Sequence, residues 1–139
     1  FTPAGPWLTL VDAADLAELD SLRLTLSVNG QVRQDGTVAD MIVRPAQALT
    51  LLARFQPMAP GDLLLTGTPG GTALKAPAKA AGKLAVLLPP ATRWRLFFER
   101  EARNPRYLRD GDVITATIGS ADGRLSLGKQ RNTVIGKTP

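Results

Sequence analysis

A mainly β protein with a few helices is what this sequence predicts, and three observations carry that expectation. Leu22, Leu24, Leu26 and Val28 alternate with Arg23, Thr25 and Ser27, the period of a strand with one buried face. Asn29-Gly30 follows at once, a dipeptide suited to positive φ at both central positions of a tight hairpin turn. The C-terminal part then offers an apolar run at 112–118, an Asp122-Gly123 turn, and the short runs Leu125-Ser126-Leu127 and Thr133-Val134-Ile135.

Each element follows from its own residues. The hairpin turn folds 31–34 back on 25–28 and puts Val32 opposite Ser27, on the polar face, so the return limb is poorly matched to a single core face. Pro45 opens a helix in which Ala48, Leu51, Leu52 and Phe55 recur on one side, and Pro57 and Pro60 stop it. Residues 62–66 read as a continuous apolar strand. Thr92 to Arg103 reads as a helix with Trp94, Phe97 and Phe98 on one face and Arg95, Glu99 and Arg103 at pairing distance. These aromatics and Trp7 are read as core or subunit-contact residues. Gly61-Asp62 and Gly111-Asp112 each precede an apolar run, a hint of duplication that ordinary turn chemistry explains equally well.

Composition sets the bounds. A chain of 139 residues with 44% apolar and 21% charged residues has the makings of one globular domain. No apolar run approaches the roughly 20 residues that span a bilayer, and the start lacks the regions of a secretion signal, so the expected location is cytoplasmic, with no membrane partner. The absence of Cys and His excludes disulfides, thiolate metal sites and imidazole chemistry. The first residues, Phe1-Thr2-Pro3, carry no initiator Met, a start that suggests a fragment or a truncated gene model.

One stretch stands out as a site. Pro60-Gly61-Asp62-Leu63-Leu64-Leu65-Thr66-Gly67-Thr68-Pro69-Gly70-Gly71 is an apolar run leading into a loop of small residues. Gly67 and Gly70 let the backbone approach a ligand and turn its N–H groups toward it, and Thr68 adds a hydroxyl, which suits a small anion. The loop lacks the Gly-x-x-x-x-Gly-Lys pattern of a nucleotide site. Glu99-Arg100-Glu101 has the letters of a metal-binding carboxylate pair. On a helix, however, residues two apart point about 200° from each other, and solvated charge is the reading preferred for both. The net charge of +5, with Arg93, Arg95, Arg100, Arg103, Arg106 and Arg109 interleaved with aromatics, raises nucleic acid as a competing partner. Glu99, Glu101 and Asp110 partly balance that patch, and nucleic acid is not the partner expected.

Several ordered blocks together carry a family resemblance: Phe1-Thr2-Pro3-Ala4-Gly5-Pro6-Trp7-Leu8, Val28-Asn29-Gly30 through Arg33-Gln34-Asp35-Gly36, Asp40-Met41-Ile42, Pro60-Gly61-Asp62 and Thr66-Gly67-Thr68-Pro69. In order and spacing they resemble the C-terminal part of the fumarylacetoacetate hydrolase family. The segment from Leu87-Leu88-Pro89 through Trp94 to Tyr107-Leu108 resembles an insertion found in its 2-hydroxyhepta-2,4-diene-1,7-dioate isomerase and 2-keto-4-pentenoate hydratase branch.

The resemblance implies a mixed β-sandwich roll, with 1–139 as the C-terminal part of a single catalytic domain and 72–110 as an insertion within it. It implies a hydrolase or isomerase of small 2-oxo (diketo) acids from aromatic catabolism, working as a homodimer around Mg2+, with Mn2+ or Ca2+ as alternatives. The family's metal ligands and acid/base residues fall upstream of Phe1, so no metal ligand and no catalytic residue is expected in this chain, which by itself should be inactive. Thr68 matches the residue that donates to the substrate's carboxylate or 2-oxo group, with Gly67 and Gly70 shaping its loop. Arg33 and Gln34 match an Arg-Gln pair that could face substrate, seal a dimer contact or simply tip an exposed hairpin. Asp40 and Met41 are expected to anchor a loop. A non-catalytic remnant that assembles through its sheet edges and the helix at 45–55 is the other reading left open.

Overall fold

The structure, a computed structural model, describes residues 3–74 and 88–136. Four strands form one antiparallel sheet in the order β2-β1-β3-β4: β1 is Arg23–Val28, β2 Gln31–Thr37, β3 Val113–Gly119 and β4 Ser126–Thr133. Among the described residues three α-helices accompany it, α1 at Ala13–Glu18, α2 at Pro45–Leu52 and α3 at Pro90–Ala102, with 3-10 turns at Leu19–Ser21 and Val38–Asp40. The mainly β class with a few helices stands, and the described residues contribute this one sheet to it.

The hairpin forms as its turn dictates. Asn29 and Gly30 take φ of 50° and 80°, and Ser27 faces Val32 across the ladder. Leu24, Leu26 and Val28 oppose Ile118, Ala116 and Ile114 on the inner face, while Arg23, Thr25 and Ser27 oppose Gly119, Thr117 and Thr115 on the outer face. The core sits on the inner side at the start of β1, where buried Leu22, Val38 and Leu125 gather Leu19, Leu24, Met41, Ile118 and Leu127.

The return limb runs further than the sequence suggests, to Thr37, because a bulge corrects its register. Leu26 faces Gln34 and Ser27 faces Val32, which leaves Arg33 as the extra residue. Val32 stays on the outer face, while Gln34 and Gly36 move to the inner one. The mismatch with a single core face persists, since Val32 faces outward and Gln34 inward.

Two other expectations change. The runs at 125–127 and 133–135 are joined by one strand, β4, which takes in Ser126, Leu127 and Thr133 and leaves Leu125, Val134 and Ile135 outside it, because β3 supplies a single long partner. Residues 62–66 form no strand, and Leu63 and Leu65 are 69% and 68% exposed. An apolar run becomes a strand only where a neighbour accepts its backbone hydrogen bonds, and among the described residues none does. Helix α1 has no apolar stripe to announce it; its signal is Asp12, whose carboxylate caps the amides of Ala14 and Asp15 at 2.8 and 2.9 Å. Part of the segment assigned to an insertion, residues 75–87, lies outside the described residues.

The chain exposes 11126 Å², against roughly 7,000 Å² for a compact monomer of its mass. Trp94 and Phe98 are 61% and 62% exposed despite stacking with ring centroids 5.9 Å apart, and Phe97 meets both rings edge-on. Trp7 is also exposed, although its indole N–H donates to the Ser126 carbonyl at 3.1 Å. None of these four is a core residue within this chain.

Candidate functional site

The loop carrying Thr68 lies against the inner side of β2. Gln34 projects there because of the bulge, and its Nε2 donates to Thr68 Oγ1 at 2.8 Å and to the Pro69 carbonyl at 2.7 Å. Pro69 also packs over Gly36, where a side chain would press on the proline ring at 3.0 Å. Gly71, at φ 103°, brings its Cα against the Arg33 carbonyl so closely that no Cβ could fit. From the far side Arg106 Nη2 donates to the Gly71 carbonyl at 2.7 Å, and Asn104 Nδ2 to the Ala73 carbonyl at 3.0 Å. The loop is therefore held from one flank by β2 and from the other by the segment that follows α3.

Of the five residues singled out in the sequence, Gln34 and Thr68 are in direct contact. Gly67, at φ 109°, and Gly70, with open space where a side chain would stand, belong to the same loop. Arg33 approaches the loop through its backbone, while its charge helps hold the Asp112 carboxyl below the usual carboxylate range, after the Arg109 amide and the Asn29 side chain that bond it directly. Thr68 itself is exposed. The N–H groups of Gly67, Thr68, Gly70 and Gly71 donate to no described residue, which leaves four backbone donors and one hydroxyl on one short loop.

Pro69 and Gly71 fall within the stretch that the sequence singles out but are given no role there, and neither Asn104 nor Arg106 is singled out for this loop. Gly71 could be suspected from the Gly70-Gly71 pair. The Arg106 contact spans 35 residues and has no local signature. The Nε atoms of Arg33 and Arg106 are out of solvent without an acceptor among the described residues.

The carboxylates do not assemble into a metal site. Asp35 binds Arg23 at 2.5 Å, a pair that pushes its carboxyl below the usual range. Asp40 accepts from the Thr37 amide and hydroxyl at 2.8 and 2.9 Å, and Asp62 from the Ala59 amide at 2.8 Å. Among the described residues no three acidic, His or Cys groups converge, so the residues present do not fit a divalent ion.

The Glu99-x-Glu101 pair lies on α3 as expected, but only Glu99 is a solvated charge. Glu101 is 9% exposed and accepts from Asn104 Nδ2 and Tyr107 Oη, both at 3.2 Å. Burial together with that bond to Glu101 raises the Tyr107 phenol above its ordinary value. Glu101 thus knits the end of α3 to the segment that grips the loop.

A family model described as fumarylacetoacetate hydrolase C-terminal matches residues 1–135, and this chain belongs to that family. Among curated proteins it is 41% identical over 70 residues to a 4-hydroxyphenylacetate degradation bifunctional isomerase/decarboxylase of Salmonella dublin, covering 50% of this chain and 16% of that protein. It is 36% identical over 74 residues to a maleylpyruvate hydrolase of Aquipseudomonas alcaligenes, covering 51% of this chain and 24% of the relative. Among solved structures it resembles a probable 2-hydroxyhepta-2,4-diene-1,7-dioate isomerase from Mycobacterium abscessus, with a TM-score of 0.64 and 29% identity, over 97% of this chain and 38% of that one. The chain thus spans well under two thirds of these relatives. No helix among the described residues is long and apolar enough to cross a membrane.

Proposed function

We propose that this chain supplies the substrate-facing wall of a fumarylacetoacetate hydrolase-family hydrolase or isomerase acting on small 2-oxo acids from aromatic breakdown. The observation that carries this reading is the exposed Thr68 hydroxyl, anchored by Gln34 on a loop whose backbone donors meet no acceptor among the described residues. Such a cluster of donors suits a carboxylate and the neighbouring 2-oxo oxygen, and it would strengthen as that oxygen gains charge. The relatives' names, which include hydrolases and isomerases of degradation routes, support the same class of reaction.

On this reading Thr68, Gly67 and Gly70 contact substrate and Arg33 supports the loop through its backbone. The divalent ion implied by the family, Mg2+ or alternatively Mn2+ or Ca2+, is held by groups outside this chain, because each nearby carboxylate already has a partner within the fold. Residues 72–110 serve as an insertion that braces the loop through Asn104 and Arg106. The working form is a soluble homodimer in the cytoplasm, and the chain by itself turns nothing over.

The test is an NMR titration of the 139-residue chain with pyruvate. Amide shifts confined to residues 66–71, and weakened several-fold in Thr68→Val, are the expected result. Shifts elsewhere, or none at millimolar pyruvate, would overturn the assignment. Turnover of oxaloacetate by this chain with added magnesium would overturn the placement of the metal site outside it.

A further inference from the structure

We infer that Gln34 is a positioning residue that turns the Thr68 hydroxyl hydrogen away from itself, so that the loop presents a donor to oxygens such as those of a carboxylate or an enolate. The inference rests on the functional reading above for the ligand, but its geometry stands apart from it. A glutamine side chain has one donor end and one acceptor end, and which end faces the loop is decided by its neighbours. The Pro69 carbonyl, 2.7 Å away, can only accept, so the NH2 end must face it. That same nitrogen is 2.8 Å from Thr68 Oγ1, and its second hydrogen is spent there.

The consequence falls on the threonine. A hydroxyl has one hydrogen, and a group already accepting from an amide N–H cannot donate back along the same line. The Thr68 hydrogen must point away from Gln34, toward the exposed side of the loop, where the N–H groups of Gly67, Thr68, Gly70 and Gly71 also find no described acceptor. The Pro69 carbonyl thus fixes the amide, and the amide fixes the direction in which the hydroxyl donates. Both hydrogens on Nε2 are consumed, so Gln34 has no donor left for an anion and acts through Thr68 rather than by touching substrate.

The experiment is a double-mutant cycle on the full chain, with pyruvate binding read by NMR. Gln34→Glu places an acceptor against Thr68, draws the hydroxyl hydrogen toward itself and should abolish binding. Gln34→Met leaves the hydroxyl free to rotate and should weaken binding only several-fold. In the Thr68→Val background the cost of Gln34→Glu should shrink by about fivefold or more, the signature of coupled residues. An equal cost in both backgrounds would mean plain charge repulsion and would overturn the inference.

A second reading needs neither a folded Gln34 variant nor a ligand. Thr68→Val should shift one of the two Gln34 side-chain amide proton resonances and leave the other, bonded to Pro69, in place. If neither moves, Gln34 does not hold Thr68. If the amide shifts as described but pyruvate perturbs nothing, the positioning stands and the functional reading falls.

Discussion

Two Gly-Asp turns in this chain are built alike and lead to opposite outcomes. At Gly61-Asp62 the glycine takes φ 98°, the Asp62 amide donates to the Ala59 carbonyl at 3.1 Å, and its carboxylate receives the Ala59 amide at 2.8 Å. At Gly111-Asp112 the glycine takes φ 83°, and the same two bonds join Asp112 to Arg109 at 3.1 and 2.8 Å. The run after Asp112 becomes β3 at the centre of the sheet, whereas the run after Asp62 pairs with nothing described. What separates them lies outside the turn. Asn29 clamps Asp112 and Val113 through its side chain at 2.8 and 2.9 Å, and Val134 accepts from the Gly111 amide at 2.9 Å and donates to the Asp112 carbonyl at 2.8 Å. A turn can be written locally, but a strand needs a neighbour.

Breaking the sheet side of this comparison should have the largest effect. Leu22→Ala removes a buried side chain from the small cluster with Val38 and Leu125 and should cost about 2–5 kcal/mol in urea denaturation. Little stability would remain in a domain with so few buried apolar residues. Asn29→Ala removes the clamp and its two hydrogen bonds, and should cost roughly 1–3 kcal/mol. On the loop side, Gly71→Ala forces a Cβ onto the Arg33 carbonyl at positive φ. It should detach the loop for more than about 1 kcal/mol, while Gly70→Ala stays near neutral. A neutral Gly71→Ala would mean that the loop does not lie against β2.

The same contrast explains what could be read in the sequence. The alternation at 22–28, the Asn29-Gly30 turn, Pro45 and the aromatic face of 92–103 are local signals, and an element appears at each, although the helix opened by Pro45 ends at Leu52 and leaves Phe55 outside it, 86% exposed. The bulge at Arg33 could not be read, because no local residue pattern marks where the ladder shifts its register. Residues 62–66 have strand composition without a strand, since pairing is a property of the neighbour. At the site, Thr68 and Gly67 were legible from their motif, but the Gln34 bond to Thr68 crosses 34 residues. The grip of Arg106 depends on how α3 ends, at Asn104 and the buried Glu101. Glu101 misleads because charge suggests solvent, whereas an Asn three residues and a Tyr six residues further on supply its partners.

A smaller effect should follow pH. The Asp35, Asp40, Asp112 and Asp122 carboxyls all lie below their ordinary value of 3.8, held there first by Arg23, by the Thr37 amide, by the Arg109 amide and by the Ser120 hydroxyl respectively. A carboxyl whose folded value is depressed binds its proton more readily when unfolded, so its stabilisation is complete above the unfolded value and is lost as pH falls through the folded one. Stability should therefore be flat from neutrality to about pH 5 and then fall steadily below about pH 4. Asp112→Asn should flatten that acid limb by thermal denaturation, and an unchanged limb would mean that the Arg109 and Asn29 bonds do not persist in solution.

The smallest expected effect probes the unpaired run directly. Leu63→Thr and Leu65→Thr alter side chains that are mostly exposed, so each should change stability by no more than about 0.5 kcal/mol. The same exchange at Ile114, whose side chain shares the inner face of the sheet with Val28, should cost several times more. The pair of measurements isolates the neighbour as the deciding factor, because both runs follow the same turn. If Leu65→Thr proved as costly as Ile114→Thr in dilute solution, the run after Asp62 would have a partner there. The distinction between the two turns would then collapse into one rule for both.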